Sequence, residues 1–448
     1  MNLIEKTRQA FLNFNQIQHL FDHSDKILVA VSGGMDSMML LDLYRQCRFS
    51  FGVAHCNYGL RGEASDLDEA LVKTFCETHS ITFHSHKFNT AAACESLGKG
   101  IQETARILRY KYFDQLCDSH QYTKIATAHH KNDNLETFLF NFGRSSGIRG
   151  LSGIPLKREK IIRPLLFIDK ASVKAYSQEI NLTFREDESN VSEKYNRNKI
   201  RHQIIPALEA YDPKYIVKAN KSIMHLQETY QFLNQYLDQE KAKCVKQTKG
   251  QTFINKAYLQ KHFAPISLLK ELIRPYGYKA KTCEKILKSL DETGALFKNK
   301  SYFLLVDRTE LILEENKPNQ FEITIKESDE EITTPHGSLT INNNPTKINF
   351  ARGNQEQYIN ADRLTFPLTL RSWKKGDKFQ PLGMGGNHQS VREFFINQKV
   401  NRLDKKRIPI LVSNGEIVSI IGFRIDERFK LEENRGKVIG LTWKKGSS

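Results

Sequence analysis

A doubly wound parallel α/β domain, followed by a helical middle domain and a small β-rich C-terminal domain, is the architecture that three features of the sequence predict. Short β-rich runs alternate with amphipathic stretches through the first part of the chain, the pattern of a parallel sheet covered by helices. A heptad stripe begins just past residue 210, and beyond residue 320 short strand-like runs are separated by Gly, Pro and Asn. At 448 residues the chain is too long for one ordinary core. The expected domains are 1–210, 211–315 and 320–448.

In the first domain the strand candidates are Lys26 to Val31, Phe51 to His55, Ile81 to His86 and Lys124 to His129. Helix candidates over 36–47, 65–79, 101–118 and 133–142 are long enough for right-handed crossovers. In the middle domain Ile216, Ala219, Ile223, Leu226, Tyr230, Leu233 and Leu237 recur at spacings of three and four, one stripe on one long helix. That stripe fits packing against helices near 266–276 and 282–290 better than a coiled-coil homodimer, the alternative it leaves open. A hairpin from Tyr302 to Val306 and from Glu310 to Leu313 closes this region, and Glu314 to Asn319 reads as a linker. A helix is expected to start at Ser390.

The net charge of +16, from 67 Lys and Arg against 51 Asp and Glu, points to a polyanionic partner, because such a surface gains affinity for phosphates by releasing condensed counterions. Seven widely spaced cysteines without a Cys-x-x-Cys pair argue against a disulfide framework, a zinc ribbon or an iron–sulfur cluster. No stretch approaches the roughly 20 consecutive apolar residues of a membrane helix, and no secretory signal opens the chain. A soluble, cytoplasmic protein with no membrane partner is the expectation.

Ser32-Gly33-Gly34-Met35-Asp36-Ser37 lies directly after the first strand and before the apolar helix Met38 to Leu43. Glycines there let backbone N–H groups turn inward as an anion nest, the helix N-terminus adds partial positive charge, and two hydroxyls can donate to phosphate. A carboxylate beside phosphates is repulsive without a hard cation between them, so Asp36 reads as a Mg²⁺ ligand. The bland alternative is a Gly-Gly turn with a serine cap; the order strand, loop, helix outweighs it. No Gly-x-x-x-x-Gly-Lys-Ser/Thr occurs, which excludes a Walker-type loop.

His55 to Arg61 follows the second strand, and Thr127 to Thr137 follows the fourth. In an open parallel sheet ligands bind beyond the carboxyl ends of the strands, where these loops and the first one meet. His129, His130, Asp133 and Glu136 superficially suggest zinc, but adjacent residues normally face opposite ways, which speaks against it. Arg106 and Arg109 lie three apart on one face of the 101–118 helix, placed either for phosphate or as a solvated basic edge.

The Ser32 to Ser37 loop resembles that of the ATP-pyrophosphatase family, whose members cleave ATP between the α and β phosphates and transfer AMP to a substrate oxygen. Gln102-Glu103 through Arg109-Tyr110, Thr127 through Thr137, Arg144 to Gly153, Arg163 to Leu166, Glu186 to Asn190, Tyr195 to Arg201 and Pro206 to Leu208 resemble its tRNA(Ile)-lysidine synthetase branch. So do Leu370-Arg371, Lys375 to Gly383, Lys399 and Gly422 to Arg424, so the likeness spans essentially the whole chain. Tyr58, Asn132 and Ser145 stand where histidine, aspartate and glycine are usual, which weakens any role for positions 58 and 132.

That resemblance implies ATP and Mg²⁺ as cofactors, and as substrates free L-lysine and an isoleucine tRNA with a CAU anticodon. The wobble cytidine is adenylated at its C2 oxygen, and the lysine amine displaces AMP, giving lysidine. Ser32, Gly33, Gly34, Met35, Asp36, Ser37, His55 and Arg109 are the expected nucleotide-binding residues. Asp36, Asp133, His129 and Arg106 are the expected catalytic ones, with Asp36 and Asp133 as metal ligands and either His129 or His130 as base. Arg197, Arg201, Arg371, Lys374, Lys375, Lys378 and Arg392 are expected on tRNA, with Lys405, Lys406 and Arg407 nearby in sequence. The rivals are a tRNA thiolation enzyme, for which paired cysteines are expected, a small-molecule amide-forming ligase, and a non-catalytic RNA-binding protein with a relic loop.

Overall fold

A computed structural model describes residues 2–185, 196–248, 250–317, 320–345, 348, 356–432 and 436–446. Glu186 to Tyr195, and Pro318 and Asn319 of the expected linker, lie outside them. The chain divides into two units, Met1–Asn234 and Gln235–Ser448.

The first unit is built on a six-stranded sheet in the order β3-β2-β1-β4-β6-β5. Its strands are β1 (Ile27–Ala30), β2 (Phe51–Asn57), β3 (Thr82–Lys87), β4 (Lys124–Ala126), β5 (Lys157–Arg158) and β6 (Ile161–Ile162). All pairs are parallel except the edge pair β5 and β6. β1 is an uninterrupted apolar run because both of its faces are covered. Ile27, Val29 and Val31 pack with Phe11, Met39, Val72 and Tyr176, while Leu28 packs with Phe113, Leu116 and Ile125 on the other side. The helices supplying these residues are α1 (Leu3–Ile17), α2 (Met35–Gln46), α3 (Glu63–Thr78), α4 (Thr90–Leu97), α5 (Ile101–His120), α6 (Lys131–Phe142), α7 (Ile148–Leu151) and α8 (Lys170–Glu179). α2 is buried on every side from Ser37 to Tyr44. It is therefore held by packing and not by an amphipathic stripe.

Two short helices, α9 (Asn196–Lys199) and α10 (Ile205–Tyr211), lead into α11 (Tyr215–Cys244), the helix that the heptad stripe predicts. Within the first unit, Ile216 and Ile223 are buried against Leu135, Ile200 and Ile205. In the second unit Leu237 packs against the core of the middle region. The two ends of the stripe thus find partners in the chain itself.

The middle region is less helical than expected. It holds a five-stranded sheet, β7-β8-β11-β10-β9, of β7 (Val245–Thr248), β8 (Gln251–Asn255), β9 (Leu296–Lys298), β10 (Tyr302–Val306) and β11 (Glu310–Glu315). Only β10 and β11 carry enough apolar residues to read as strands. Leu304, Val306, Leu311 and Leu313 face helices α12 (Lys256–Lys261), α13 (Pro265–Ile273) and α14 (Ala280–Lys288). Leu305 and Ile312 point the other way, onto Leu403, as strand alternation requires.

The C-terminal region is β-rich, as expected. A five-stranded sheet of residues 322–325, 368–372, 409–413, 416–420 and 424–425 and a four-stranded sheet of residues 331–334, 337–342, 356–360 and 438–445 share one core around Leu339, Leu370, Leu411 and Val418. The expected helix at 390 is α15 (Val391–Asn397), capped by Ser390, whose Oγ accepts from the Glu393 N–H. All seven cysteines are free thiols. Among the described residues no helix is long and apolar enough to cross a membrane.

Candidate active site

The loop between β1 and α2 is held in shape by its own hydroxyls. Gly33 sits at φ +90°, a conformation that glycine adopts without penalty. A Cβ there would meet Asp68 at 3.4 Å, an ordinary contact, so it is the backbone conformation and not space that asks for glycine. Ser37 Oγ accepts from the Ser32 N–H at 3.1 Å and donates to the Gly34 carbonyl at 2.9 Å, closing the loop from inside. Ser32 is exposed, its Oγ 3.2 Å from that of Ser37. Beneath the loop, Asp68 accepts from both Arg61 and Arg185, and the Arg185 N–H donates to the Gly33 carbonyl at 3.0 Å.

Asp36, in the first turn of α2, faces two cations. Lys170 Nζ donates to its Oδ1 at 2.7 Å, and His130 Nε2 lies 3.6 Å from the same oxygen. Burial alone would push the Asp36 carboxyl up, but the hydrogen bonds and charges of His130 and Lys170 outweigh it and hold it down at about 2. His130 in turn stands between two carboxylates, its Nδ1 3.5 Å from Asp133. Burial works against the charged ring, yet Asp133 and then Asp36 overcome it and raise the pKa above the usual imidazole value. Asp36, His130 and Asp133 therefore form one charged array.

Asp133 is engaged on both sides. It accepts from the His130 backbone N–H at 3.0 Å and from Arg201 at 3.3 Å. The Arg201 guanidinium also donates twice to Glu136, at 2.6 and 2.9 Å. Arg201, expected on tRNA, is held by the acidic residues of α6 through a bidentate pairing with a carboxylate that is only 8% exposed, while its own side chain remains 38% exposed. Burial pushes the Glu136 carboxyl up against the opposing pull of Arg201.

His129 points away from its neighbour, with Nδ1 3.0 Å from the Thr127 hydroxyl, so the two adjacent rings have different partners. Burial, opposed by Asp133 and reinforced by Arg163, Arg109 and His130, pushes its pKa down to about 4. His55 is buried below the loop with Nδ1 2.9 Å from the Val31 carbonyl, and burial lowers its pKa. Arg106 and Arg109 both lie against the Tyr110 ring, 4.9 and 5.3 Å from its centroid. Arg109 is half-buried and its charge helps to lower the His129 pKa, while Arg106 is exposed and its charge helps to lower that of Arg163.

Lys170 and Arg185 are the residues that sequence reasoning missed. The Lys170 backbone N–H donates to Asn132 Oδ1 at 2.9 Å, so position 132, where the unusual asparagine weakened the case for a role, helps to place the lysine that reaches Asp36. Ser145 lies at φ +54°, a left-handed conformation in which glycine is the natural choice.

The donors suit a hard cation held largely by phosphate oxygens. Asp36 offers carboxylate oxygen beside an anion nest, the setting in which Mg²⁺ binds through one or two carboxylates plus substrate phosphates. Among the described residues no group of three or more His, Cys, Asp or Glu side chains is placed to hold a metal by itself.

The C-terminal cations divide into two sets. Arg371 is only 11% exposed and binds Asp377 through two donors at 2.8 and 2.9 Å, while Asp377 also accepts from the Lys374 N–H. Its charge therefore braces a turn and is not free for RNA. Arg407 pairs with Glu314 and Asp404, and Lys374 with Glu322. Lys375, Lys378, Arg392 and Lys406 are exposed. Lys405 is half-buried, and burial together with Arg392, Arg308 and Arg402 lowers its pKa, the mark of a like-charged group.

Comparison with known proteins sets this site in a family. A PP-loop domain matches residues 5–208, a TilS substrate binding domain residues 247–317, and a TilS substrate C-terminal domain residues 368–443. The tRNA(Ile)-lysidine synthase of Parabacteroides distasonis is 32% identical, over 94% of this chain and 96% of its own length. The chain belongs to the tRNA(Ile)-lysidine synthase family. Members from Bacteroides thetaiotaomicron, 32% identical over 96% of this chain and 98% of theirs, and from Caldanaerobacter subterraneus subsp. tengcongensis, 30% over 99% and 98%, match along the same length. As a lysidine synthase the protein is an ATP-dependent ligase, and its PP-loop domain is the part that uses ATP.

Proposed function

We propose that the protein adenylates the C2 oxygen of the wobble cytidine in an isoleucine tRNA with a CAU anticodon, then joins free L-lysine to that carbon, so that the anticodon reads AUA in place of AUG. The observation that carries this reading is the Asp36–His130–Asp133 array beside the Ser32 to Ser37 loop. In the first step the cytidine oxygen attacks the α-phosphorus of ATP and the bond to pyrophosphate breaks. Loop N–H groups and the Ser32 hydroxyl take up charge on the leaving group. Mg²⁺, when bound, neutralises phosphate charge, and Asp36, kept ionised by Lys170 and His130, is the residue to hold it.

In the second step the ε-amine of lysine attacks C2, the bond from C2 to oxygen breaks and AMP departs. The amine must first lose a proton. His129, at about 4, is a poor acceptor from an ammonium whose ordinary value lies roughly six units higher. We assign His129 to orientation through Thr127, and Asp133 to orienting the lysine amine, whose proton passes to solvent before attack. Arg109 faces the nucleotide. Such chemistry takes place in the cytoplasm, where tRNA substrates and ATP are at hand.

ATP–pyrophosphate exchange with and without tRNA tests the first step. Exchange that needs tRNA and no lysine supports the reading; exchange driven by a small carboxylic acid without tRNA favours the amide-ligase rival. On the RNA-binding side, the exposed cations Lys375, Lys378 and Arg392 and the cluster around Lys405 are the groups we assign to phosphates. Lys405→Gln and Arg402→Gln should each flatten the negative slope of log affinity against log salt by roughly 0.7–0.9 for each phosphate that is no longer neutralised. Arg371→Gln should leave that slope unaltered and lower the melting temperature. Equal slopes for all three variants would contradict the division between paired and free cations.

A further inference from the structure

Arg163 is a buried cation that the two chemical steps leave unused. It stands just past β6, its backbone N–H donating to the Leu156 carbonyl at 3.1 Å and its Nη1 to the Pro155 carbonyl at 2.5 Å. The residue is only 5% exposed, and its Nε has no hydrogen-bond partner. Among the described residues no carboxylate pairs with it. Burial lowers its pKa; Tyr110 opposes this, and the charges of Arg106 and Arg158 add to it. A buried guanidinium without a counter-ion is costly, and like charges nearby raise the cost. An anion from outside the chain would complete the arrangement.

The place of this cation in the sheet indicates which anion. β6 lies beside β4, and β4 beside β1. The Thr127 N–H donates to the Ile162 carbonyl at 3.0 Å, which sets the carboxyl end of β4 next to Arg163. Above these strands Tyr110 of α5 packs in the cluster that holds Ile161, and Arg106 and Arg109 both border its ring. The charges of Arg163 and Arg109 both reach His129 and help to lower its pKa. Three arginines therefore gather around Tyr110 at the carboxyl ends of β4 and β6, where an open parallel sheet binds its ligands. Two strand spacings, about 10 Å, separate them from β1, which leads into the Ser32 to Ser37 loop. If that loop holds the departing pyrophosphate, the α-phosphate is the next group along, and one phosphate and one arginine side chain bridge the gap.

We propose that Arg163, together with Arg109, binds the nonbridging oxygens of the α-phosphate, first in ATP and then in the adenylated cytidine. The guanidinium keeps the phosphorus in place while its bond to pyrophosphate breaks and its bond to the cytidine oxygen forms. It remains on the phosphate as the bond from C2 to oxygen breaks and AMP departs. The proposal rests on the reading of the protein as a ligase that adenylates its RNA. A phosphate of the RNA backbone offers the same chemistry to an arginine, so the test separates the two sources.

The test uses the full chain, with AMP, adenosine, inorganic pyrophosphate and unmodified tRNA as probes. Arg163→Met is expected to weaken AMP binding about tenfold, the loss of a charge-assisted contact, and to leave the affinities for adenosine and pyrophosphate unchanged. The affinity for tRNA and its salt slope should be unchanged as well. Arg163→Lys keeps the charge without the planar fork and should recover part of the affinity for AMP. Without nucleotide the melting temperature of Arg163→Met should not fall, because the cation it removes has no counter-ion to lose. Saturating AMP should raise the melting temperature of the wild type by more than that of the variant. Wild-type affinity for AMP in Arg163→Met overturns the assignment. So does a weaker, less salt-dependent hold on tRNA with AMP binding intact, which would give Arg163 to the RNA backbone. Equal losses for AMP and adenosine together with a lower melting temperature would make it a brace of the turn after β6, and overturn the assignment too. If the wild type adenylates tRNA and the variant binds AMP as well as it does, the subsite alone fails. If the wild type binds neither ATP nor AMP, the adenylation reading fails with it.

Discussion

Asp36→Asn should slow tRNA-dependent pyrophosphate release by roughly 10²–10³-fold, the usual cost of removing one group that stabilises charge in the transition state. An amide keeps the shape of the side chain but cannot act as an anionic metal ligand or balance Lys170 and His130. Since the carboxyl is held at about 2, below its ordinary value, its interactions stabilise the fold above the unfolded carboxylate range and are lost as pH falls toward 2. His130 has the opposite sign. Its raised pKa stabilises the fold fully below the ordinary imidazole value, and that contribution disappears as pH rises through the raised one. Asp36→Asn should therefore flatten the loss of stability as pH rises above the ordinary imidazole value, since one of the two carboxylates that hold the His130 proton is gone. Near wild-type turnover at saturating Mg²⁺, with an unaltered pH profile, would refute the role given to Asp36.

Arg201→Ala should have the largest structural effect. Glu136 is 8% exposed on its side chain and takes two donors from Arg201, so truncation leaves a buried carboxylate without its counter-ion. Losing one partner of a fully buried pair costs about 3–5 kcal/mol. With the Arg201 side chain 38% exposed, solvent screens part of this, and about 2 kcal/mol is the expected loss. In a unit of this size that corresponds to a fall of roughly 4–8 °C in melting temperature. Adding Glu136→Gln should recover much of it, because a neutral amide is cheaper to bury than an unpaired charge. A variant that keeps its stability but loses salt-dependent tRNA affinity would show that Arg201 is an RNA contact after all.

The parts of the site that were legible in the sequence are those made by neighbours in the chain. Ser32 to Ser37 is a local device of turn, nest and helix start, and the flanking β1 and α2 announce themselves by apolar runs. His130 and Asp133 are read together because they open the same helix. Lys170 is different. It meets Asp36 across 134 positions, and a lysine after an N-capping aspartate looks like any helix start. The bidentate hold of Arg201 on Glu136, 65 positions away, was hidden in the same way. Arg371 is the instructive exception. Its partner Asp377 is six residues on, and the turn between them, Lys374 to Asp377, could have been read as a closed ion pair.

The fold follows the same division. Strands buried on both faces and a 30-residue helix stand out by pattern, whereas β5 and β6 are two residues each and are created by pairing alone. In the middle region β7, Val245–Thr248, is exposed over its last three residues, which removes the alternation that identifies a strand. Its membership in a sheet comes from hydrogen bonds to β8, a property that composition does not carry.

The central claim is that this chain transfers lysine to a cytidine. Purified protein incubated with ATP, Mg²⁺, L-lysine and an isoleucine tRNA bearing a CAU anticodon, followed by nuclease digestion and mass spectrometry of the anticodon fragment, tests it most directly. One modified cytidine is expected, heavier by one lysine less one water and formed only when ATP and lysine are both present. A fragment that gains sulfur from a supplied donor and no lysine, or one that stays unmodified while the protein consumes ATP on another acceptor, would contradict it.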